Sequence, residues 1–386
     1  YSNNNNVAIR QENDTWGNAA TVHIYTDADY NQMSICQWDM GGHYALIDIY
    51  KADFNNIYTM ADGFFTTPEV FGNKVYTEIF WDYEYNVIRQ EGEDHYADIF
   101  IHQTGTGDME QADFNKVAIW QWGETSYQNN ASIKIYNSNY NRAAIAQTGY
   151  WNMALIDILW NSDNNIAAIS QWADNQFAYI QQINGSECNM ANIVQGESDW
   201  DDGYNEAYIW QNEHDCGIAI INQYWKLNFA NIMQEYGYGN QATIYQNTYN
   251  SWANIYETGD FNFAAICQHY YGYHHANIYI NGNNNGFHNL IEGTNPYFNP
   301  SNPGYHNGAY FKVENWVFFD PTNMIHQEGK CNWADMSVYG DNNRSSIYQT
   351  GYPTYGDGCG DCNGCVNNEA YLNINGNGNW TAQYQD

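Results

Sequence analysis

Hydrophobic and polar positions alternate along most of this chain, and they do so in one recurring phrase. Asn141, Ala143, Ile145 and Gln147 form one copy, Asn152, Ala154, Ile156 and Ile158 the next, and Asn165, Ala167, Ile169 and Gln171 a third. Alternation at period two predicts a β-strand with one selected face. That face opens with an amide, continues through small and branched apolar residues, and often closes with a second amide. Copies recur about every 11 to 13 residues, too close for a strand plus a helix, so each strand turns straight into the next. A fixed period of this kind predicts a solenoid.

The phrase has two flavours that alternate. One ends in Gln, as in Asn5, Val7, Ile9 and Gln11; the other ends in an aliphatic residue, as in Asn18, Ala20, Val22 and Ile24. Weaker copies at residues 55–59, 73–79 and 86–90 precede a regular run from Asn115 onward. Later copies open at Gly217, Asn240, Asn262, His274, Gly286, Asn307, Asn323, Asn332 and Asn343, and the last two at Asn368 and Asn379. The total is roughly 29 strands, or about 14–15 two-strand rungs. Residues 1–386 read as one all-β repeat domain, a β-solenoid. Turn-rich, acidic or proline-bearing insertions interrupt it near residues 61–72, 104–113, 196–204, 293–306 and 350–367.

Two strands joined by a tight turn make a β-arch, and stacked arches point alternate residues into a narrow gap between two sheets. Ala, Ile and Val fill that gap. Amides at the strand ends then lie above their own kind, about 4.8 Å apart, where they bond up a column. A buried amide without such a partner costs about 1–3 kcal/mol, so repetition itself satisfies these groups. The expected ladder residues are Asn115, Gln121, Asn141, Gln147, Asn165, Gln171, Asn189, Gln195, Asn240, Gln246, Asn262 and Gln268. Many of the 36 Tyr and 15 Trp fall on outward positions or in turns. They read as β-formers stacked along the sheet face, with an adhesive or sugar-binding surface as the sharper alternative.

Lys plus Arg total 11 against 44 Asp plus Glu, a formal charge of -33. That argues against a nucleic-acid partner, because phosphate binding needs cationic surface. No stretch has the apolar length needed to span a bilayer, so no membrane insertion is expected. The first residues are neither basic nor apolar, and no signal peptide is visible there. No nucleophile elbow, phosphate loop or dinucleotide fingerprint occurs, so the chain is not expected to be an enzyme or to take a cofactor.

The phrase N-x-A-x-I-x-Q, in paired strands of roughly 23 residues, resembles the curlin repeat of curli-type bacterial amyloids. The match is best over residues 141–147, 165–171, 189–195 and 240–246, with Asn usual here where that family opens with Ser. The resemblance implies a curli-like β-solenoid, secreted and stacked end to end into extracellular biofilm fibres. It implies a homopolymer, with a nucleator and a secretion pore of the curli type as further partners. Uncapped solenoid ends are open sheet edges that pair with other chains, and neither end carries a recognisable cap. The alternative is a non-polymerising adhesin that binds matrix polysaccharide through outward Tyr and Trp.

The eight cysteines are spread unevenly. Cys36, Cys188, Cys216, Cys267 and Cys331 stand alone, while Cys359, Cys362 and Cys365 cluster in a Gly-rich loop. In an oxidising exterior a disulfide is the leading reading of that cluster, with Cys331 as a candidate partner. A metal site and free thiols are the alternatives. Cys36 and Cys267 fall on outward positions and read as exposed small side chains. The acidic runs at 91–94 and 199–202 lack the spacing of a calcium loop and read as solvated charge; no metal site is expected.

Overall fold

The computed structural model describes residues 5–12, 19–25, 31–38, 44–50, 86–91, 96–102, 115–122, 129–196, 204–285, 323–330, 332–351 and 368–385. They form two parallel sheets whose strands alternate along the chain. The first sheet begins with β1 (Asn6–Glu12), β3 (Gln32–Trp38), β5 (Asn86–Glu91) and β7 (Lys116–Trp122). It continues through β9 (Arg142–Thr148), β11 (Ile166–Gln171), β13 (Met190–Gly196), β15 (Ile218–Tyr224) and β17 (Gln241–Asn247). It ends with β19 (Phe263–Gly272), β21 (Asn323–Lys330), β23 (Arg344–Gly351) and β25 (Trp380–Gln385).

The second sheet begins with β2 (Ala19–Ile24), β4 (Tyr44–Tyr50), β6 (Tyr96–His102) and β8 (Asn130–Tyr136). It proceeds through β10 (Met153–Leu159), β12 (Phe177–Ile183), β14 (Glu206–Asp215) and β16 (Phe229–Tyr238). Last come β18 (Trp252–Thr258), β20 (His275–Asn281), β22 (Asn332–Tyr339) and β24 (Asn368–Asn375). Each strand of one sheet runs into a strand of the other, so the unit is the β-arch and the fold is a β-solenoid.

Register is kept because a one-residue slip would turn the apolar face to solvent. The central isoleucines of the first sheet align from Ile9 and Ile35 to Ile325 and Ile347, and those from Ile119 to Ile347 are buried. In the second sheet Ile47, Ile99, Ile133, Ile156, Ile180, Ile209, Ile232, Ile255 and Ile278 do the same. Alanine beside isoleucine in each strand lets the two layers interdigitate across a gap one side chain deep. Burying each isoleucine contributes about 1.5–3 kcal/mol.

The described residues hold 25 strands against the roughly 29 the pattern predicts. The copies expected at 55–59, 73–79, 286 and 307–313, and the bodies of the five expected insertions, lie outside the described residues. Even so, β3 pairs directly with β5 and β19 with β21, so no layer stands between those neighbours.

One reading of the phrase is corrected by the register. Asn323 is not an opening amide: it sits level with Ala264, in the alanine column. Asn285 fills the opening position instead, its main-chain N–H donating to Asn262 Oδ1 at 3.1 Å. A single phrase is thus split by residues 286–322. Asn86 likewise sits level with Met33, the alanine position, after residues 51–85.

The turns are tight enough to select residues. Gly282 and Gly340 adopt φ of 143° and 99°, and a Cβ on Gly282 would lie 1.9 Å from the carbonyl oxygen of Gly340 in the next layer. No side chain fits there. Acids and amides in the same turns accept main-chain N–H groups from the preceding layer: Asp163 from Asn139, Asp260 from Tyr238, Asn283 from Asp260, and Asp341 from Asn283. Part of the acidic composition is therefore structural.

Candidate functional site: the stacked amide columns

Thirteen glutamines stand in unbroken register along the first sheet, from Gln11, Gln37, Gln90 and Gln121 to Gln327, Gln349 and Gln385. Gln11 donates to Gln37 at 2.7 Å, and from Gln121 onward the amides bond to one another without a break. Nε2 of Gln121 donates to Oε1 of Gln147 at 2.9 Å, Gln147 to Gln171 at 2.8 Å, and Gln171 to Gln195 at 2.9 Å. Gln195, Gln223, Gln246, Gln268, Gln327 and Gln349 pass the bond on in the same sense, ending on Gln385. The other Nε2 proton crosses the arch to a main-chain carbonyl of the second sheet: Gln171 to Met153, Gln195 to Phe177, Gln268 to Trp252. One side chain thus joins neighbouring layers and both sheets.

The asparagines at the other strand end work differently. Asn115, Asn141, Asn165 and Asn189 align, but they bond to main chain rather than to each other's amides. Oδ1 of Asn115 accepts the main-chain N–H of Asn141, Asn141 that of Asn165, and Asn165 that of Asn189, at 2.7–2.9 Å. Nδ2 reaches a turn carbonyl of the next layer, Asn115 to Ser138, Asn165 to Ser186, Asn240 to Gly259 and Asn262 to Gly282. Glutamine side chains thus bond amide to amide, whereas the asparagines mostly hold main chain; amide-to-amide bonds recur in that column from Asn285 to Asn262 at 3.1 Å and from Asn379 to Asn343 at 3.0 Å.

In the second sheet the column opposite those asparagines is aliphatic at Ile135, Ile158 and Ile280. Between Ile158 and Ile280 it becomes polar: Gln182, Gln211, Gln234 and Glu257. Gln182 donates to Gln211, Gln211 to Gln234, and Gln234 to Glu257 Oε2, each at 2.9 Å. Glu257 is fully buried and its Oε1 has no hydrogen-bond partner. Burial pushes this carboxyl well above the usual carboxylate range, against the smaller lowering effect of the Gln234 hydrogen bond. Glu257 closes the inward face of the strand that carries Ala253 and Ile255, at a column position filled in the neighbouring layers by Gln or Ile.

Cys188 and Cys216 form a disulfide although 28 residues separate them. Each lies just before the opening position of a phrase, Asn189 or Gly217, so the two occupy the same turn position in adjacent layers. Comparing copies column by column would have shown this; reading them as isolated cysteines missed it. Beside them, His214 is buried with Nδ1 3.3 Å from Asn189 Oδ1, and burial pulls its imidazole down to about 4. Cys267 occupies an outward position yet is only 3% exposed, contrary to expectation. Its layer neighbours along that row are the larger Tyr245 and His326, which overhang it. Cys359, Cys362 and Cys365 and the acidic run at 199–202 lie outside the described residues. Among the described residues no three His, Cys, Asp or Glu side chains are grouped to hold a metal ion.

The outermost described layers differ. In β1, Val7 and Ile9 are 42% and 47% exposed where their interior equivalents are buried. In β25 the inward positions are Thr381, Gln383 and Gln385, with Gln383 level with Ile347 in the isoleucine column. An apolar edge at one end thus faces away from a polar one at the other. On the outer face of the second sheet, aromatic side chains stack from layer to layer: Tyr44 on Tyr96, Phe229 on Trp252, Tyr256 on Tyr279 and His275 on Trp333, with ring centroids 3.8–5.1 Å apart.

A family model described as the curlin associated repeat matches residues 324–351, which take in most of β21 and all of β22 and β23. No curated protein matches the chain.

Proposed function

This chain is a curlin-repeat protein, and on that premise we propose that it is a structural subunit of extracellular curli-like fibres, growing by stacking one copy's outer layer on another's. The observation that carries the reading is the Gln column, whose amides run in one sense from Gln121 to Gln385 and offer the same bond to a further layer. Exposed Val7 and Ile9 add apolar surface that a further layer would bury. The Cys188–Cys216 disulfide fits an oxidising exterior.

The aromatic face supports this reading over a polysaccharide-binding adhesin. A sugar ring packs on an exposed aromatic face, whereas the stacked pairs turn their faces toward one another along the layer axis. Their stacking stabilises the column in the way cross-strand aromatic pairs do, by about 0.2–1 kcal/mol each. Incubating the purified chain at high concentration tests the proposal. Fibres in negative stain, a thioflavin response and a meridional reflection near about 4.8 Å are expected. A monodisperse solution that gives none of the three, or saturable glycan binding by that soluble form, overturns it.

A further inference from the structure

Glu257 is an acid standing where every in-register neighbour is an amide or an aliphatic. Below it Gln234 donates to its Oε2; above it the next layer offers the hydrocarbon of Ile280. Its Oε1 has no donor within reach, and an ionised carboxylate can only accept. A neutral carboxyl has what the site lacks, a proton to give. The acceptor is indicated by the column itself. Gln182 and Gln234 donate across the arch to the first carbonyl of the facing strand, Ile166 and Ile218. For β18 the facing strand is β17, and the register of β15 with β17 puts Gln241 at the place of Ile218.

We propose that Glu257 is a proton-operated latch within the stack. When neutral it completes the four-residue polar ladder and donates to the Gln241 carbonyl; when ionised it loosens β18 from β17 and β20. Among the described residues no charge compensates the ionised form. On β16, β17, β19 and β20 the other titratable groups among the described side chains, Glu235, Tyr236, Tyr238, Tyr245, Cys267, His269, His275 and Tyr279, take outward positions by strand alternation or follow the last inward residue. Asp260 is engaged in the turn by Tyr238. His274 points inward at the opposite end of the arch, against the His269 carbonyl. The raised carboxyl follows from the same burial.

The sign is fixed by linkage. The folded chain holds this proton to higher pH than the unfolded chain does, so the latch's stabilisation is complete below the ordinary carboxylate range, declines above it and is lost as pH rises through the raised folded value. Native-state hydrogen exchange at β18 and β20 amides, in the full chain and in Glu257→Gln, measures the effect. The opening constant of the wild type relative to the variant should rise by up to tenfold per pH unit above that range, and the two should converge in acid. An unchanging ratio overturns the proposal. Infrared spectra of the glutamate-labelled chain provide a second reading that needs no unfolding. A protonated carboxyl band that persists above the ordinary carboxylate range, absent in Glu257→Gln or in Glu257→Ile, is expected; its absence in the wild type there overturns the latch. Neither measurement depends on fibre formation.

Discussion

Gln268 and Gln327 are 59 residues apart in the chain, yet their amides meet at 2.8 Å, as do those of Gln246 and Gln268, only 22 residues apart. The ladder continues across the split phrase as if the intervening residues were absent. Deleting residues 286–321 would join Asn285 to Thr322 and Asn323 and restore an unbroken phrase. The deletion variant is expected to fold and to melt no lower than the parent, because shortening a loop reduces closure entropy by about 0.6 kcal/mol per halving. Circular dichroism melting checks it.

Removing one rung of the Gln column should cost more inside the stack than at its edge. Gln171→Leu strands Nε2 of Gln147 and Oε1 of Gln195, two buried groups at about 1–3 kcal/mol each. Gln385→Leu removes the acceptor of Gln349 and the donor to the exposed Glu369 carbonyl, both in a more exposed layer, and should cost about 1 kcal/mol or less. Denaturant midpoints of the two variants test the ranking.

The polar edge of β25 predicts an assembly variant that is faster than the parent. Gln383→Ile extends the isoleucine column beyond Ile347 and supplies an apolar edge to match Val7 and Ile9. A shortened lag in thioflavin kinetics is expected; an unchanged lag means that β25 does not form the joint.

Reduction should destabilise the chain in the region of β13 to β15. The Cys188–Cys216 bond joins residues 28 apart in sequence, which corresponds to about 3.6 kcal/mol on the chain-entropy account. Melting with and without reductant, and in Cys188→Ser, should show the same loss.

Acid should act on His214. Its imidazole, pulled down to about 4 by burial, binds its proton more weakly folded than unfolded. Stability is therefore complete above about pH 6.5 and falls as pH drops toward the folded value, by about 3 kcal/mol. His214→Asn should flatten that slope, opposite in direction to the effect of Glu257.

Most of the architecture could be read from the chain because every layer repeats the same demand. The Asn–Ala–Ile–Gln alternation specifies strand, inward face and column together, so the sheets and the Gln ladder followed. What could not be read depended on relations between layers rather than on the phrase. Asn323 has the look of an opening amide, and only its partner Ala264 reveals the shift. Cys267 is outward by alternation and buried by larger neighbours. Asn141 and Asn165 share a column, but their side chains are held by main-chain groups that the pattern does not display.

The uniform sense of the Gln bonds gives the stack an electrical direction. Each amide dipole points along the layer axis, and aligned hydrogen bonds polarise one another by about 10–30% per bond. One end presents the carbonyl oxygen of Gln11 and the other the N–H of Gln385. Two copies in the same orientation bring unlike poles together, while two in opposite orientation bring like poles together. The column thus encodes which way round a second copy arrives.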